Sequence, residues 1–296
     1  MTTVNLLKTI GNTPLVKLDK IIKNPQIKLY AKLEGQNPGG SIKDRVALYM
    51  ITQAEKKGEL KRGQTILEAT SGNMGISLAM LGAQKNYKVE IVMSEGMSEE
   101  RKIMLRALGA KLILTPKELG TGGAIEKAQE LKNKFPQKYW FANQFNNPDN
   151  PKAHYHGIAP ELLRQIKKID YLILGVGTSG TAMGIAKRFQ KDSPHTKIIE
   201  VSPTSGYQIQ GLQNQIDDFG GLIYNKDLIT EKIIVAPENA YEMARQVSQK
   251  EGLFVGMSAG ANLFVAKKIS RKIKKGTIVI IVPDRGEKYL STSLFK

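Results

Sequence analysis

Tyr171-Leu-Ile-Leu-Gly-Val-Gly-Thr-Ser-Gly180 joins an apolar run of β-forming residues to a turn of glycines and hydroxyls, and a helical pattern follows. A strand entering a helix through such a turn is one half of a βαβ crossover, the unit that builds parallel sheet. The same alternation extends in both directions. β-rich runs occupy residues 65–69, 88–93, 111–115, 139–145, 171–176, 197–201, 232–235 and 277–282. Amphipathic helical patterns lie between them, as at 98–108 and 237–250. The expectation is an α/β protein with open, mostly parallel twisted sheets. Ligands of such sheets bind at the carboxyl ends of the strands, so the loops after the strands are where chemistry is sought.

The chain has 296 residues, enough for two domains at about 150 residues each. Pro/Asn/Gly-rich stretches at 36–40 and 146–151 read as hinge points that bracket a smaller domain, residues 37–147, inside a larger discontinuous one, residues 1–36 plus 148–296. The composition, 41% hydrophobic and 24% charged, is globular. No apolar run approaches the roughly 20 residues of a membrane span, and the first residues carry no export signal, so a cytoplasmic location without membrane contact is expected. The absence of cysteine excludes disulfides, thiolate metal sites and Cys nucleophiles. A net charge of +17 invites a nucleic-acid reading. Against it, only nine of the 44 basic residues are Arg, the Lys are scattered, and aromatics do not interleave with them. The densest run, 267–275, falls at a helix end, where cations complement the dipole.

Five segments carry possible chemistry. Asn37-Pro-Gly-Gly-Ser-Ile-Lys-Asp-Arg45 puts Lys43 in the first turn of a helix, with Ser41 and Asp44 spaced as a capping box. The helix N-terminus repels an ammonium and so favours a neutral, reactive amine; a solvated lysine is the alternative. Thr70-Ser-Gly-Asn-Met-Gly75 follows a strand and opens a helix, which suits a carboxylate or is simply a well-capped turn. Gly175-Val-Gly-Thr-Ser-Gly180 matches the dinucleotide fingerprint, with Glu200 near the end of the next strand, yet its hydroxyls suit a single phosphate better; both readings stay open. Gly256-Met-Ser-Ala-Gly260 has the nucleophile-elbow spacing. All three histidines, His154, His156 and His195, precede Ser258, against the chain order of an α/β-hydrolase, leaving Ser258 for a ligand or for no role. His154 and His156 form an H-x-H pair with no companion ligand spacing, so no metal is expected. Pro160-Glu161 and Asp284-Arg285-Gly286 read as structural, a helix start and a turn after a strand.

In order and spacing these segments resemble the cysteine synthase family of pyridoxal-phosphate enzymes, in particular its B type. The resemblance runs through Ile10-Gly-Asn-Thr-Pro-Leu15, Lys32-Leu-Glu-Gly35, residues 37–45, Glu68-Ala-Thr-Ser-Gly-Asn73, Met97-Ser-Glu-Glu-Arg101, Gln144-Phe-Asn-Asn-Pro-Asp-Asn-Pro151, residues 177–181, residues 256–261 and Asp284-Arg-Gly-Glu-Lys-Tyr-Leu-Ser291. It implies two three-layer αβα domains of the tryptophan synthase β-like architecture, fold type II among pyridoxal-phosphate enzymes. It implies Lys43 as the Schiff-base lysine and Asn73 on the cofactor's phenolic oxygen. Gly177, Thr178, Ser179, Gly180 and Thr181 match the phosphate loop, and Ser258 the partner of the pyridine nitrogen. Thr70, Ser71, Gly72, Asn73, Met74 and Gln144 match the substrate-carboxylate positions.

The implied reaction is β-replacement: O-acetyl-L-serine loses acetate to an α-aminoacrylate, and sulfide adds to give L-cysteine. O-phosphoserine as donor and a cystathionine β-synthase-like use of serine and homocysteine are the alternatives within the fold. A homodimer is implied, and a complex with serine acetyltransferase, a trait of A-type relatives, is not. Two departures stand out. Met74 replaces the usual Thr, and Gly157-Ile-Ala159 replaces a Thr-Thr-Gly run; both are expected to bear on donor preference. Residues 209–214 and Pro283 lack the arginine pair and cysteine that B-type enzymes link to thiosulfate, which favours sulfide.

Overall fold

A computed structural model describes residues 4–70, 72–213 and 223–296; Ser71 and Asn214 lie outside the described residues. In chain order the elements are β1 (Leu15–Leu18), β2 (Ile27–Leu33), α1 (Lys43–Lys56), β3 (Thr65–Ala69), α2 (Asn73–Lys85), β4 (Lys88–Ser94), α3 (Glu99–Ala107), β5 (Lys111–Thr115) and α4 (Gly120–Lys134). Then come β6 (Tyr139–Phe141), α5 (Asp149–His156), α6 (Ile158–Gln165), β7 (Tyr171–Gly175), α7 (Gly180–Asp192), β8 (Lys197–Pro203), β9 (Glu231–Val235), α8 (Pro237–Glu251), α9 (Met257–Ser270) and β10 (Gly276–Val282). The larger sheet has the order β1-β2-β10-β7-β8-β9, parallel except for β1 against β2. The smaller sheet, β5-β4-β3-β6, is wholly parallel.

Each sheet is covered on both faces, which is why its inner strands are unbroken apolar runs. Side chains of β10 alternate. Ile278, Ile280 and Val282 join the α8/α9 core with Met243, Val247 and Leu263, whereas Val279 and Ile281 join the α6/α7 core with Leu162, Ile185 and Phe189. In the smaller sheet Ile66 and Ile91 pack with α1 and α2, and Leu67 and Val92 with α4. Both units are three-layered, as the alternation of strands and helices implies.

Two strands go beyond the sequence expectation. β1 and β2 extend the larger sheet, and β2 buries a charge: Lys32 donates to Glu161 at 2.7 Å and to the Thr13 carbonyl at 2.6 Å. Arg45 completes the cluster, its Nε 2.6 Å from Glu34 and its Nη1 2.6 Å from Glu161. Two cations and two carboxylates cancel, so burial is tolerated, while loss of any one would strand a charge at about 3–5 kcal/mol. β6 ends at Phe141, short of the expected 145, because Asn143 takes a left-handed backbone (φ 50°) and its carbonyl caps a turn with the amides of Asn146 and Asn147.

Candidate active site

A cavity opens at the carboxyl ends of β7 and β10, and four helices, α1, α2, α7 and α9, begin at its wall. Their first-turn amides and dipoles make the region attractive to anions. Lys43, Asn73, Gly177, Thr178, Ser179, Thr181 and Ser258 all line it, drawn together from positions up to 215 residues apart.

The turn after β7 is shaped for close approach. Ser179 sits in the left-handed region (φ 67°), a strain of about 1 kcal/mol for a residue with a Cβ. A side chain at Gly177 would lie 2.8 Å from the Gly211 carbonyl, and one at Gly180 would collide with the Asn150 carboxamide. Thr178 Oγ1 accepts from Lys43 Nζ at 3.3 Å and from Asn150 Nδ2 at 2.9 Å. With both lone pairs engaged, its own O–H is left to donate, as an anion requires. Behind the turn, Thr181 Oγ1 is 3.1 Å from His154 Nε2. Burial, reinforced by the Lys43 and Arg45 cations, holds His154 well below the usual imidazole pKa and hence neutral.

Burial also lowers Lys43, to about 8, against the opposing pull of the Glu68 carboxylate. Glu68 is pushed up to about 8 by its own burial, although it accepts from the Gln144 amide at 3.2 Å. The capping-box expectation needs correction. Asp44 reaches back to the Gly39 amide at 2.6 Å and accepts from Ser77, while Ser41 Oγ accepts from the Lys43 amide at 3.3 Å.

The turn after β3 contributes less of its chemistry directly. Of Thr70, Gly72, Asn73, Met74 and Gln144, only Asn73 lines the cavity. Thr70 Oγ1 accepts from the Gly72 amide at 3.2 Å, and the carbonyl of buried Gln144 accepts from Asn150 Nδ2 at 2.8 Å. Met74, 1% exposed, packs in the α1/α2 core. Residues 157–159 likewise lie away from the cavity: Ile158 and Ala159 belong to the α6/α7 core, and a side chain at Gly157 would crowd the Ala153 carbonyl. Neither Met74 nor residues 157–159 line the cavity.

Several residues read as structural or passed over belong to the site. Asp284 lines it, accepting from Asn73 Nδ2 at 2.7 Å and from the Tyr289 hydroxyl at 2.5 Å. Asn150 ties Gln144 to Thr178, and Gly211 and Leu212 form a wall. Asn150 is one of several polar residues in Gln144-Phe-Asn-Asn-Pro-Asp-Asn-Pro151, and nothing in the sequence singles it out from its neighbours. The H-x-H pair divides: His154 is buried behind the turn, and His156 stacks on Tyr49. Among the described residues no group of three or more His, Asp or Glu could hold a metal, and no helix is long and apolar enough to cross a membrane. The dinucleotide reading loses its anchor, because Glu200 is fully buried and accepts from Ser202 at 2.8 Å and Tyr224 at 2.6 Å. The Glu200 carboxylate is thereby engaged rather than free for a ribose.

Residues 6–284 match the family of pyridoxal-phosphate dependent enzymes. The chain is 42% identical to a cysteine synthase of Aquifex aeolicus, over 98% of this chain and 91% of that protein. It is 40% identical to cysteine synthase B of Escherichia coli, over 98% and 95%. The solved structure of an O-ureido-L-serine synthase superposes with a TM-score of 0.95 at 36% identity, covering 100% of this chain and 96% of that one. The residues fit the cofactor on their own geometry: a desolvated amine stands beside a turn whose threonine hydroxyl is committed to donate, with a buried serine on the cavity wall. Fold, cavity and full-length similarity together make the chain a member of the cysteine synthase family of pyridoxal-phosphate-dependent enzymes.

Proposed function

We propose that this chain makes L-cysteine from O-acetyl-L-serine and sulfide by pyridoxal-phosphate-dependent β-replacement. The observation that carries the reading is the 3.3 Å approach of Lys43 Nζ to Thr178 Oγ1, which sets a desolvated amine beside an anion-binding turn. Pyridoxal phosphate, when bound, supplies an aldehyde that takes up an amine and a ring that draws electrons from Cα. Lys43 would anchor the cofactor, and its free amine would take and return the Cα proton. The amides and hydroxyls of 177–181 would hold the phosphate, and Asn73 would donate to the phenolic oxygen. Ser258, at the start of α9, would partner the ring nitrogen. Being neutral, it would leave the ring less able to store charge, which would favour prompt departure of acetate. Thr70, Ser71, Gly72, Asn73, Met74 and Gln144 take the substrate carboxylate, the buried members through their backbone. Movement of residues 37–147 over the cavity excludes water during the reaction.

Sulfide is the nucleophile this wall supports. Among the described residues lining the cavity Lys43 is the one cation, and Gly211, Leu212 and Pro283 offer no charge to a dianionic sulfur donor. The same reading has a cytoplasmic homodimer working without serine acetyltransferase, which sedimentation of the enzyme alone and mixed with that protein tests. The central experiment is borohydride reduction of the yellow purified enzyme, followed by peptide mass spectrometry and a panel of donors and nucleophiles. Cofactor mass on Lys43 and cysteine formed from O-acetylserine and sulfide are expected. An unmodified Lys43, or product only from serine and homocysteine, overturns the reading.

A further inference from the structure

Lys288 lies in the short 3-10 turn Gly286–Tyr289 and is 2% exposed. Its Nζ donates to the Gly39 carbonyl at 3.2 Å, the Gly40 carbonyl at 3.1 Å and Asn73 Oδ1 at 2.9 Å. An ammonium has three N–H bonds, and here each has an acceptor. Gly40 makes room for it: its backbone is left-handed (φ 77°), and a side chain there would stand 3.3 Å from Nζ. Across the carboxamide, Asn73 Nδ2 donates to Asp284 Oδ2 at 2.7 Å.

A carboxamide between a cation and a carboxylate has one orientation. Turned over, it would set its NH2 against the ammonium and its oxygen against the carboxylate. Oδ1 is therefore held by Lys288, one Nδ2–H by Asp284, and the second Nδ2–H is the group left for the cavity that Asn73 lines.

We propose that Lys288 is a positioning residue for cofactor recognition: with Asp284 it fixes the Asn73 carboxamide so that one N–H donates to the cofactor's phenolic oxygen, and it ties the 39–40 loop that leads into Lys43 to the same point. Lys288 touches neither substrate nor cofactor; it acts through Asn73. This inference rests on the cofactor reading above and deepens it.

The test compares holoenzymes of wild type, Lys288→Met, Asn73→Ala and the double variant, by the visible absorbance band of bound pyridoxal phosphate, its pH titration and the dissociation constant on reconstitution. Lys288→Met is expected to shift the band or its titration midpoint and to weaken cofactor binding by about tenfold, the scale of one charge-assisted hydrogen bond. In the Asn73→Ala background the same change is expected to move the spectrum no further. An unaltered band and titration in folded Lys288→Met, or additive spectral shifts in the double variant, overturns the proposal. Where Lys288→Met does not fold, Gly40→Ala crowds the ammonium while keeping its charge and is read in the same way. A wild-type protein that binds no pyridoxal phosphate would instead overturn the cofactor reading, so the two failures are distinguishable.

Discussion

Two junctions share one local design: β7 enters α7 through Val176-Gly-Thr-Ser179, and β3 enters α2 through Thr70-Ser-Gly72. Their surroundings differ. In the first, Gly177, Thr178 and Ser179, with Thr181 just beyond, line the cavity, and the threonine hydroxyls are braced from behind by Asn150 and His154. In the second, among the described residues, Asn73 alone reaches the cavity, and Met74 turns into the core. A strand–turn–helix junction thus supplies donors by its backbone, and the layer packed behind it decides which side chains become a rigid site. The β7 junction has its hydroxyls fixed by the layer behind it, whereas the β3 junction directs most of its described side chains away from the cavity.

The largest expected effect is Lys43→Ala, which abolishes covalent attachment and lowers kcat by about 10²- to 10⁴-fold, checked by mass spectrometry and steady-state assay. It would break the comparison if activity survived. The amine also makes the first junction pH-dependent. Neutral amine is the reactive form, so capture of pyridoxal phosphate by the apoenzyme should rise with pH through a midpoint near 8. An exposed lysine would place that midpoint near 10.4. Asn150→Ala removes the donor shared by Thr178 and the Gln144 carbonyl. It should weaken cofactor binding by about 10- to 100-fold, corresponding to about 1–3 kcal/mol for groups left unpaired, and is read by reconstitution titration. Met74→Thr places a hydroxyl in an apolar core and should cost about 1–3 kcal/mol of stability in urea unfolding, with the ranking of donors unchanged. The smallest effect is expected from Thr70→Ala, a rise of a few-fold in KM for O-acetylserine with the cofactor constant unmoved, since one neutral hydrogen bond is worth about 1 kcal/mol.

The parallel α/β architecture was legible because its inner strands are apolar on both faces, and β10 reads as Ile278-Val-Ile-Ile-Val282. β2 was not: Lys28, Lys32 and Glu34 make its neighbourhood read as solvated. The partners that bury Lys32 come from positions about the length of a domain away, at Glu161 and Gln165. The cavity residues at helix starts, Lys43, Thr178 and Ser258, carry local signals of turn and cap. Asn150 and Lys288 carry none, because their roles exist only once distant segments meet. Glu200 shows the converse: its spacing fits a ribose anchor, and only the tertiary partners Ser202 and Tyr224 reveal it to be occupied.

The Arg45 cluster has a mechanical consequence. Val46, Ala47, Met50 and Ile51 of α1 pack in the core of the four-stranded sheet, while Arg45 is bonded to Glu34 and Glu161 beside the six-stranded one. At the far end of the same helix Lys57 pairs with Asp149 of α5 at 2.7 Å. The helix that carries Lys43 is held at both ends, which sets the reactive amine on a mount shared by both sheets.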